Sequence, residues 1–369
     1  MKHSALLVSL SFFLFYSCNF FPGKSDSSKT ILSISEEKFL INGQPTYKDR
    51  VWQGYPIEGL LMNSRMVQGI FDDLNPETVE LWKYPDTNVW DANRNTDEFV
   101  KYMQTWYEHG LLSFTINLQG GSPQGYSREQ PWDNSAFDEE GSLKQEYMNR
   151  LNKILKRADE LGMIPILGLF YFGQDERLRD EAAVKNATNN VIDWLFEHNY
   201  RNILIEINNE CNVKYDHEIL KPERVHELIS LVKSKEKNGY RFLAGTSYGG
   251  GSIPGKNVVE VSDFLLIHGN GVKDPAKITE MVKLSRETEG YKPMPILFNE
   301  DDHFDFEKPD NNFVAAIKAY ASWGFFDYRM EGESFNDGYQ SVPVSWDINS
   351  PRKEAFFNFL EEITGGFKK

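Results

Sequence analysis

From about residue 59 onward, short apolar runs alternate with longer amphipathic stretches. Residues 59–65 form the first apolar run and end in Asn63 and Arg65. Asn95 with Glu98 three positions on has the form of a helix-capping pair. Phe99, Val100, Met103, Trp106 and Tyr107 then recur at helical spacing before Gly110. Residues 111–118 read as a second strand. Ser142 with Gln145 repeats the capping signal ahead of a stripe of Leu143, Tyr147, Leu151, Ile154, Leu155 and Ala158, stopped by Gly162. Residues 163–172 are almost wholly apolar, as a strand buried on both faces must be. Further strands are predicted over 202–207, 241–245, 263–268, 295–299 and 325–329. Helices are predicted over about 175–198, 222–237, 275–288, 311–323 and 352–364, with a single helical turn linking the fifth and sixth strands. Residues 31–45 read as two short strands turning at Glu36-Glu37, with a second turn at Asn42-Gly43.

Eight strands, each followed by a helix or its remnant, predict an α/β chain folded as a (β/α)8 TIM barrel with a small N-terminal β-lid. The barrel would form a single domain over 31–369. A doubly wound sheet competes, but no Gly-rich phosphate turn follows any strand.

Composition narrows the chemistry. Of 369 residues, 55 are Asp or Glu against 40 Lys or Arg, a net charge of −15. No basic run is present, so nucleic acid is not an expected partner. The first residues carry an address rather than a fold. Met1-Lys2-His3 is followed by an apolar stretch from Ala5 to Tyr16, too short to span a membrane, then Ser17-Cys18 and the polar KSDSSKT of 24–30. A small residue before a Cys that closes an apolar segment resembles the bacterial lipoprotein lipobox, although Phe15 stands where Leu is usual. The resemblance implies a signal peptide over 1–17, lipidation of Cys18, and a tether over 18–30. The membrane would be met only through that anchor. The protein would sit in the cell envelope, at the outer membrane or in the periplasm; a plain signal peptide would make it secreted. Cys211 is the one other cysteine.

Barrel enzymes hold their reactive groups at the C-terminal ends of strands. The fourth strand ends Glu206-Ile207-Asn208-Asn209-Glu210, and period-two alternation turns Glu206, Asn208 and Glu210 toward the barrel axis. The seventh strand ends Phe298-Asn299-Glu300. A carboxylate at the lip of an apolar strand needs a reason to be there. Two of them across one mouth are what glycosidic cleavage requires, one to protonate the leaving oxygen and one to attack or to activate water.

Asn209-Glu210 closing the fourth strand and Glu300 closing the seventh resemble the clan A glycoside hydrolases, the barrel group of cellulases, mannanases and β-galactosidases. Phe39-Leu40-Ile41-Asn42-Gly43-Gln44-Pro45 is similar to the strand-turn opening of those enzymes. The resemblance implies that Glu210 is the general acid/base, Glu300 the nucleophile and Asn209 the partner of the sugar 2-hydroxyl. It implies retention of configuration, carboxyls about 5–5.5 Å apart, and an acid whose pKa is raised by its like-charged neighbour. The chain departs from the clan in having Cys211 where Pro often follows the acid/base. It also lacks the usual aromatic closing the eighth strand, a role left to Tyr328, Arg329 or Trp346. No cofactor is called for, and the substrate would be an extracellular oligo- or polysaccharide.

Other rim residues follow from position. Arg65 is placed to orient the nucleophile, and His268 points inward at the end of the sixth strand, placed to contact the nucleophile or a sugar hydroxyl. Tyr248 and the run Gly249–Gly251 follow the fifth strand as a rim loop for close approach, with Tyr248 a candidate sugar contact. Long inserts over 66–94 and 119–141 would wall the cleft and either block one end or deepen a groove. Two other functions compete. One is a non-catalytic surface glycan-binding lipoprotein that keeps the cleft without the chemistry. The other is a metal-dependent barrel hydrolase using Glu300, Asp301, Asp302, His303 and His268, although no His-x-His, HExxH or CxxC motif accompanies them.

Overall fold

The computed structural model describes residues 28–127 and 129–368, so the predicted signal peptide and Cys18 lie outside the described residues. Eight parallel strands carry the architecture: β1 Asn63–Arg65, β2 Ser113–Asn117, β3 Ile164–Phe170, β4 Leu204–Asn208, β5 Leu243–Gly245, β6 Leu265–His268, β7 Ile296–Glu300 and β8 Gly324–Phe325. They alternate with α1 Ala92–Glu108, α2 Gln145–Leu161, α3 Glu181–Glu197, α4 Val225–Ser234, α5 Lys256–Val261, α6 Pro275–Glu287, α7 Asn312–Lys318 and α8 Pro351–Thr364. Six strands form one sheet in the order β5-β4-β3-β2-β1-β8. β6 pairs with β7, and parallel bridges Leu297–Ser322 and Asp301–Phe325 carry β7 on to β8. Between β5 and β6 there is no ladder among the described strands; the Asp263 N–H donates to Ala244 O at 3.0 Å.

The predicted stripes are the buried faces. Phe99, Met103 and Trp106 of α1, and Leu151, Ile154, Leu155 and Ala158 of α2, are all buried. Each of the large side chains among them contributes about 1.5–3 kcal/mol, and Ala158 less. Several helix starts differ from the sequence reading. Asp91, not Asn95, caps α1, its carboxylate accepting from the amides of Asn93 and Arg94. Asn95 is buried one turn in, donating to Gln68 O and accepting from Trp346 Nε1. α2 starts at Gln145 without a side-chain cap, because Lys144 and not Ser142 holds the N-cap position; the Ser142 amide donates to Asp138 instead. α3 and α4 are shorter than predicted, each preceded by a separate 3-10 turn, Asp175–Arg177 and Glu218–Leu220. α7 likewise stops at Lys318, and β8 ends at Phe325.

The N-terminal hairpin pairs Leu32–Ser35 with Lys38–Ile41 through the predicted turn. It closes the floor of the barrel rather than its mouth. The Phe39 amide donates to Gly59 O ahead of β1, the Leu32 amide to Arg201 O ahead of β4, and the Phe39 ring meets Phe264 ahead of β6. Ser28, Lys29 and Thr30, at the end of the predicted tether, are held on Asp159 of α2 by five hydrogen bonds of 2.7–3.0 Å, four of them to its carboxylate.

Candidate active site

β4, β6 and β7 bring three titratable groups to one place at the mouth. Single side-chain atoms of Glu210, His268 and Glu300 all lie within 4.8 Å of one another. His268 Nδ1 is 3.0 Å from Glu210 Oε1, and its Nε2 is 3.7 Å from Glu300 Oε1. The predicted pairing of Glu210 with Glu300 and the inward turn of His268 are both present. The alternation that predicted them breaks at Asn208. Its amide donates to Leu220 O and its side-chain oxygen accepts from Thr246, while Asn209 takes the inward place and reaches Arg65. Glu210 then stands at φ +53, a left-handed conformation that costs a non-glycine residue energy and is concentrated at functional positions. Its amide is pinned by Ser247 Oγ, which in turn donates to Glu206 at 2.6 Å. Glu206 is fully buried inside the barrel; burial pushes its carboxyl up, against the opposing pull of His268.

The two carboxylates differ in surroundings. Glu300 is 4% exposed and Glu210 18%. Arg65 of β1 forms an ion pair with Glu300, donates to Asn209 Oδ1 at 3.1 Å, and donates to Gln340 Oε1 at 3.1 Å. Its guanidinium lies between the rings of Phe326 and Tyr171, at 5.5 and 6.0 Å. Burial works most strongly against the charge on Arg65, but Glu300, Tyr171, Glu206 and Glu210 together outweigh it and the guanidinium is held above its ordinary range. Asn270 Nδ2 donates to the other oxygen of Glu300 at 2.8 Å. Gly250 lies against the carbonyl of Asn270, where a Cβ would come within 2.2 Å, so the glycine run is a close-approach loop as predicted.

The expectation that a like-charged neighbour raises the acid's pKa is reversed. Burial pushes Glu210 up, but the hydrogen bond from His268 and the charges of His268 and Arg65 outweigh it, and the carboxyl is held below its ordinary value. Burial pushes His268 down, and Glu300 with Glu210 more than restores it, so the imidazole holds its proton above the usual range. The imidazole thus lies between the two carboxylates, bonded to Glu210 and beside Glu300.

Three predicted residues are placed away from the pair. Trp346 is buried behind the sheet against Phe99, Trp106 and Tyr339, with Nε1 on Asn95, and does not reach the mouth. Arg329 is spent on carbonyls of its own loop, including Pro343 O at 2.6 Å. Tyr248 is buried beside Cys211, its hydroxyl end against Gly255, and burial pushes the Cys211 thiol up to about 12. Tyr328 stands half-buried on the rim, its ring 5.0 Å from Tyr126 and 5.7 Å from Phe326. The aromatic beyond β8 that touches the site is Phe326. The sequence reading passed over it, with Asn270, Gln340 and Tyr126. Phe326 follows β8 directly and was the legible one; the other three sit in aperiodic loops.

The metal candidates divide. His268 and Glu300 join Glu210, whereas Asp301, Asp302 and His303 form a separate cluster. Asp301 accepts from Asn312, Trp323 Nε1 at 3.0 Å and His303 Nδ1 at 2.8 Å. A cation on the first group would have to displace Arg65 from Glu300.

No family model matches the sequence, and no curated protein does. Solved structures do match in fold. A glycoside hydrolase aligns at TM-score 0.57 and 11% identity, over 91% of this chain and 73% of that one. A glycoside hydrolase family 5 protein from Bacteroides vulgatus ATCC 8482 aligns at TM-score 0.55 and 12% identity, over 89% and 69%. A family 5 mannosidase from Rhizomucor miehei aligns at TM-score 0.51 and 12% identity, over 91% and 98%. The chain thus has the α/β fold of family 5 glycoside hydrolases.

Proposed function

We propose that the protein is a retaining glycoside hydrolase acting on an extracellular oligo- or polysaccharide through Glu210 and Glu300, tethered to the cell envelope by Cys18. The observation that carries this reading is the approach of the two carboxylates to within 4.8 Å across one mouth, with His268 between them. Retaining chemistry needs about 5–5.5 Å; an intervening water would need about 6.5 Å or more.

The roles follow from the surroundings. Glu300, ion-paired to Arg65 and bonded by Asn270, is aimed as the nucleophile. Its carboxylate attacks the anomeric carbon, the glycosidic C–O bond breaks, and the leaving oxygen takes a proton from Glu210. That proton rests on His268 in the free enzyme. As the glycosyl ester forms, Glu300 loses the negative charge that holds His268 protonated, and the proton passes through Nδ1 to Glu210 and on to the leaving group. In the second step Glu210 takes a proton from water, the oxygen attacks the anomeric carbon, and Glu300 leaves as a carboxylate. Asn209, fixed by Arg65, is placed for the sugar 2-hydroxyl.

The test is reducing-end release by residues 19–369 over a broad panel of poly- and oligosaccharides, with Glu300→Gln and an EDTA-treated sample alongside. Release that vanishes in the variant and survives EDTA is expected. Activity lost to EDTA and restored by Zn²⁺ or Mn²⁺ would move the assignment to a metal-dependent hydrolase. Binding of a polysaccharide without any new reducing ends would move it to a glycan-binding lipoprotein.

A further inference from the structure

The loop between β2 and α2 does not stay above its own strand. Gln340, in the loop after β8, donates its amide to the carbonyls of Gly121 and, at 3.3 Å, Ser122. Pro123 O accepts from the Val342 amide at 2.8 Å. Gly125, at φ +98, lies so close to Tyr328 that a Cβ there would come within 2.8 Å of its ring. Tyr126 then packs edge-on against Phe326 and Tyr328, at 5.4 and 5.0 Å. Its hydroxyl donates to Asp302, just beyond β7, at 2.9 Å. Tyr126 itself is 57% exposed, so its ring stands at the rim of the mouth, with buried Phe326 between it and Arg65. One continuous segment therefore bars the mouth over the arc β7-β8-β1-β2. The opposite arc, from β3 to β6, carries two depressions beside the carboxylate pair's loops, though neither is lined by Glu210 or Glu300 themselves. A depression of about 590 Å³ lies among Gln130, Phe172, Gly173, Val213 and Lys214, and one of about 560 Å³ among Gly250, Gly251, Asn270 and Gly271.

We infer that this strap makes the protein exo-acting, removing sugars from the non-reducing end of its substrate; the inference rests on the two-glutamate hydrolase reading. The acid Glu210 belongs to β4, on that opposite arc, so the leaving part of the chain extends there. The sugar whose anomeric carbon meets Glu300 lies toward β7 and β8, under Tyr126 and Phe326. A linear polymer crossing the pair would need to continue through the strap, and the aromatic contacts and the hydrogen bond to Asp302 stand in that path. Tyr126 is thus a specificity-determining residue. Gly125 is the backbone position that lets the strap descend onto Tyr328.

Two probe sets separate the outcomes. One is 4-nitrophenyl glycosides of glucose, mannose, xylose and galactose in both anomers, which report removal of a single terminal sugar. The other is dye-crosslinked β-glucan, mannan and xylan, which release colour only on internal cleavage. The wild type is expected to release nitrophenol from at least one monoglycoside and no dye. Tyr126→Ala is expected to raise KM for that glycoside about tenfold and to begin releasing dye, whereas Tyr126→Phe, which keeps the ring, still releases none. Dye release by the wild type would overturn the inference and leave the hydrolase reading standing. Unchanged products in Tyr126→Ala would also overturn it. No release from either set, with the wild type matching Glu300→Gln, would bring down the hydrolase reading and the inference with it.

Discussion

Glu300 and Asp301 are consecutive residues, both carboxylates and both buried at the end of β7, yet their surroundings share nothing. Glu300 faces the barrel axis, where Arg65, Asn270 and His268 reach it from three different strands or loops. Asp301 faces the helices. Both of its oxygens are taken, one by the His303 amide and ring and the other by Trp323, with Asn312 of α7 spanning the two. Burial pushes the Asp301 carboxyl up, and these donors only partly offset that. Burial of a carboxylate therefore does not by itself mark chemistry. What separates the two is the side of the strand, and whether the oxygens still have capacity for a new partner.

The paired substitutions test that difference most strongly. Glu300→Gln is expected to lower turnover by roughly 10³-fold or more, because the nucleophile is lost, with a smaller loss of stability than Asp301→Asn because Glu206 and Glu210 still act on Arg65. Asp301→Asn is expected to do the opposite. It leaves Trp323 and His303 without a charged acceptor in the core and costs about 2–4 kcal/mol in chemical denaturation, with activity per folded molecule reduced only severalfold. Equal loss of stability in both variants would remove the distinction.

The same contrast explains what the sequence could disclose. Period-two alternation and the long apolar runs identified all eight strands. The glutamates ending β4 and β7, the inward turn of His268 and the position of Arg65 followed from strand ends alone. Alternation also turned Asn208 inward, and the left-handed conformation at Glu210 undid that; nothing in the local pattern signals it. The partners that finish the site lie in loops without a period. Gln340 reaches a carbonyl 219 residues away at Gly121, and Tyr126 reaches Asp302, 176 residues away. Contacts of that span are set by tertiary packing, so the strap was legible as an insert of unknown effect and no more. Trp346 was misplaced for the related reason that a tryptophan in a loop can turn to the core as readily as to the cleft, and here Asn95 and the α1 aromatics claim it.

His268 sharpens the comparison from the side of Glu300, since it is the group that senses the nucleophile's charge. Its proton is held above the ordinary imidazole range by Glu300 and Glu210, and Glu210 is held below the ordinary carboxyl range by His268. The pair therefore retains a proton for the leaving group until the pH rises through the raised value of the imidazole. In His268→Asn that proton can rest only on the Glu210 carboxyl, which gives it up at lower pH. The alkaline limb of kcat/KM is expected to move toward acid, with roughly a 10²-fold loss at neutral pH. A profile that drops in height without moving would mean that His268 only positions Glu210.

Asp327, two residues beyond the neighbouring β8, gives the smallest and most specific effect. Like Glu300 it is buried and meets an arginine, Arg352, at 2.9 Å, and one of its oxygens has no hydrogen-bond partner. Unlike Glu300 it is turned toward α8, away from the carboxylate pair. Burial pushes its carboxyl from 3.8 up to about 6, against the pull of Arg352. A carboxyl raised on folding contributes stability that is present below its unfolded value and lost as pH rises through its folded value. The folded wild type should therefore lose about 1–2 kcal/mol between pH 4 and 6 through this group, because the folded form keeps a proton that the unfolded form has released. Asp327→Asn should flatten that part of the profile while leaving the pH dependence of turnover where it was. Urea denaturation at half-unit pH steps, run beside the activity profile, reads both. A shift in the activity profile would place Asp327 with Glu300 in the site, and a flat wild-type stability curve from pH 4 to 6 would show that Arg352 already keeps the carboxyl ionised.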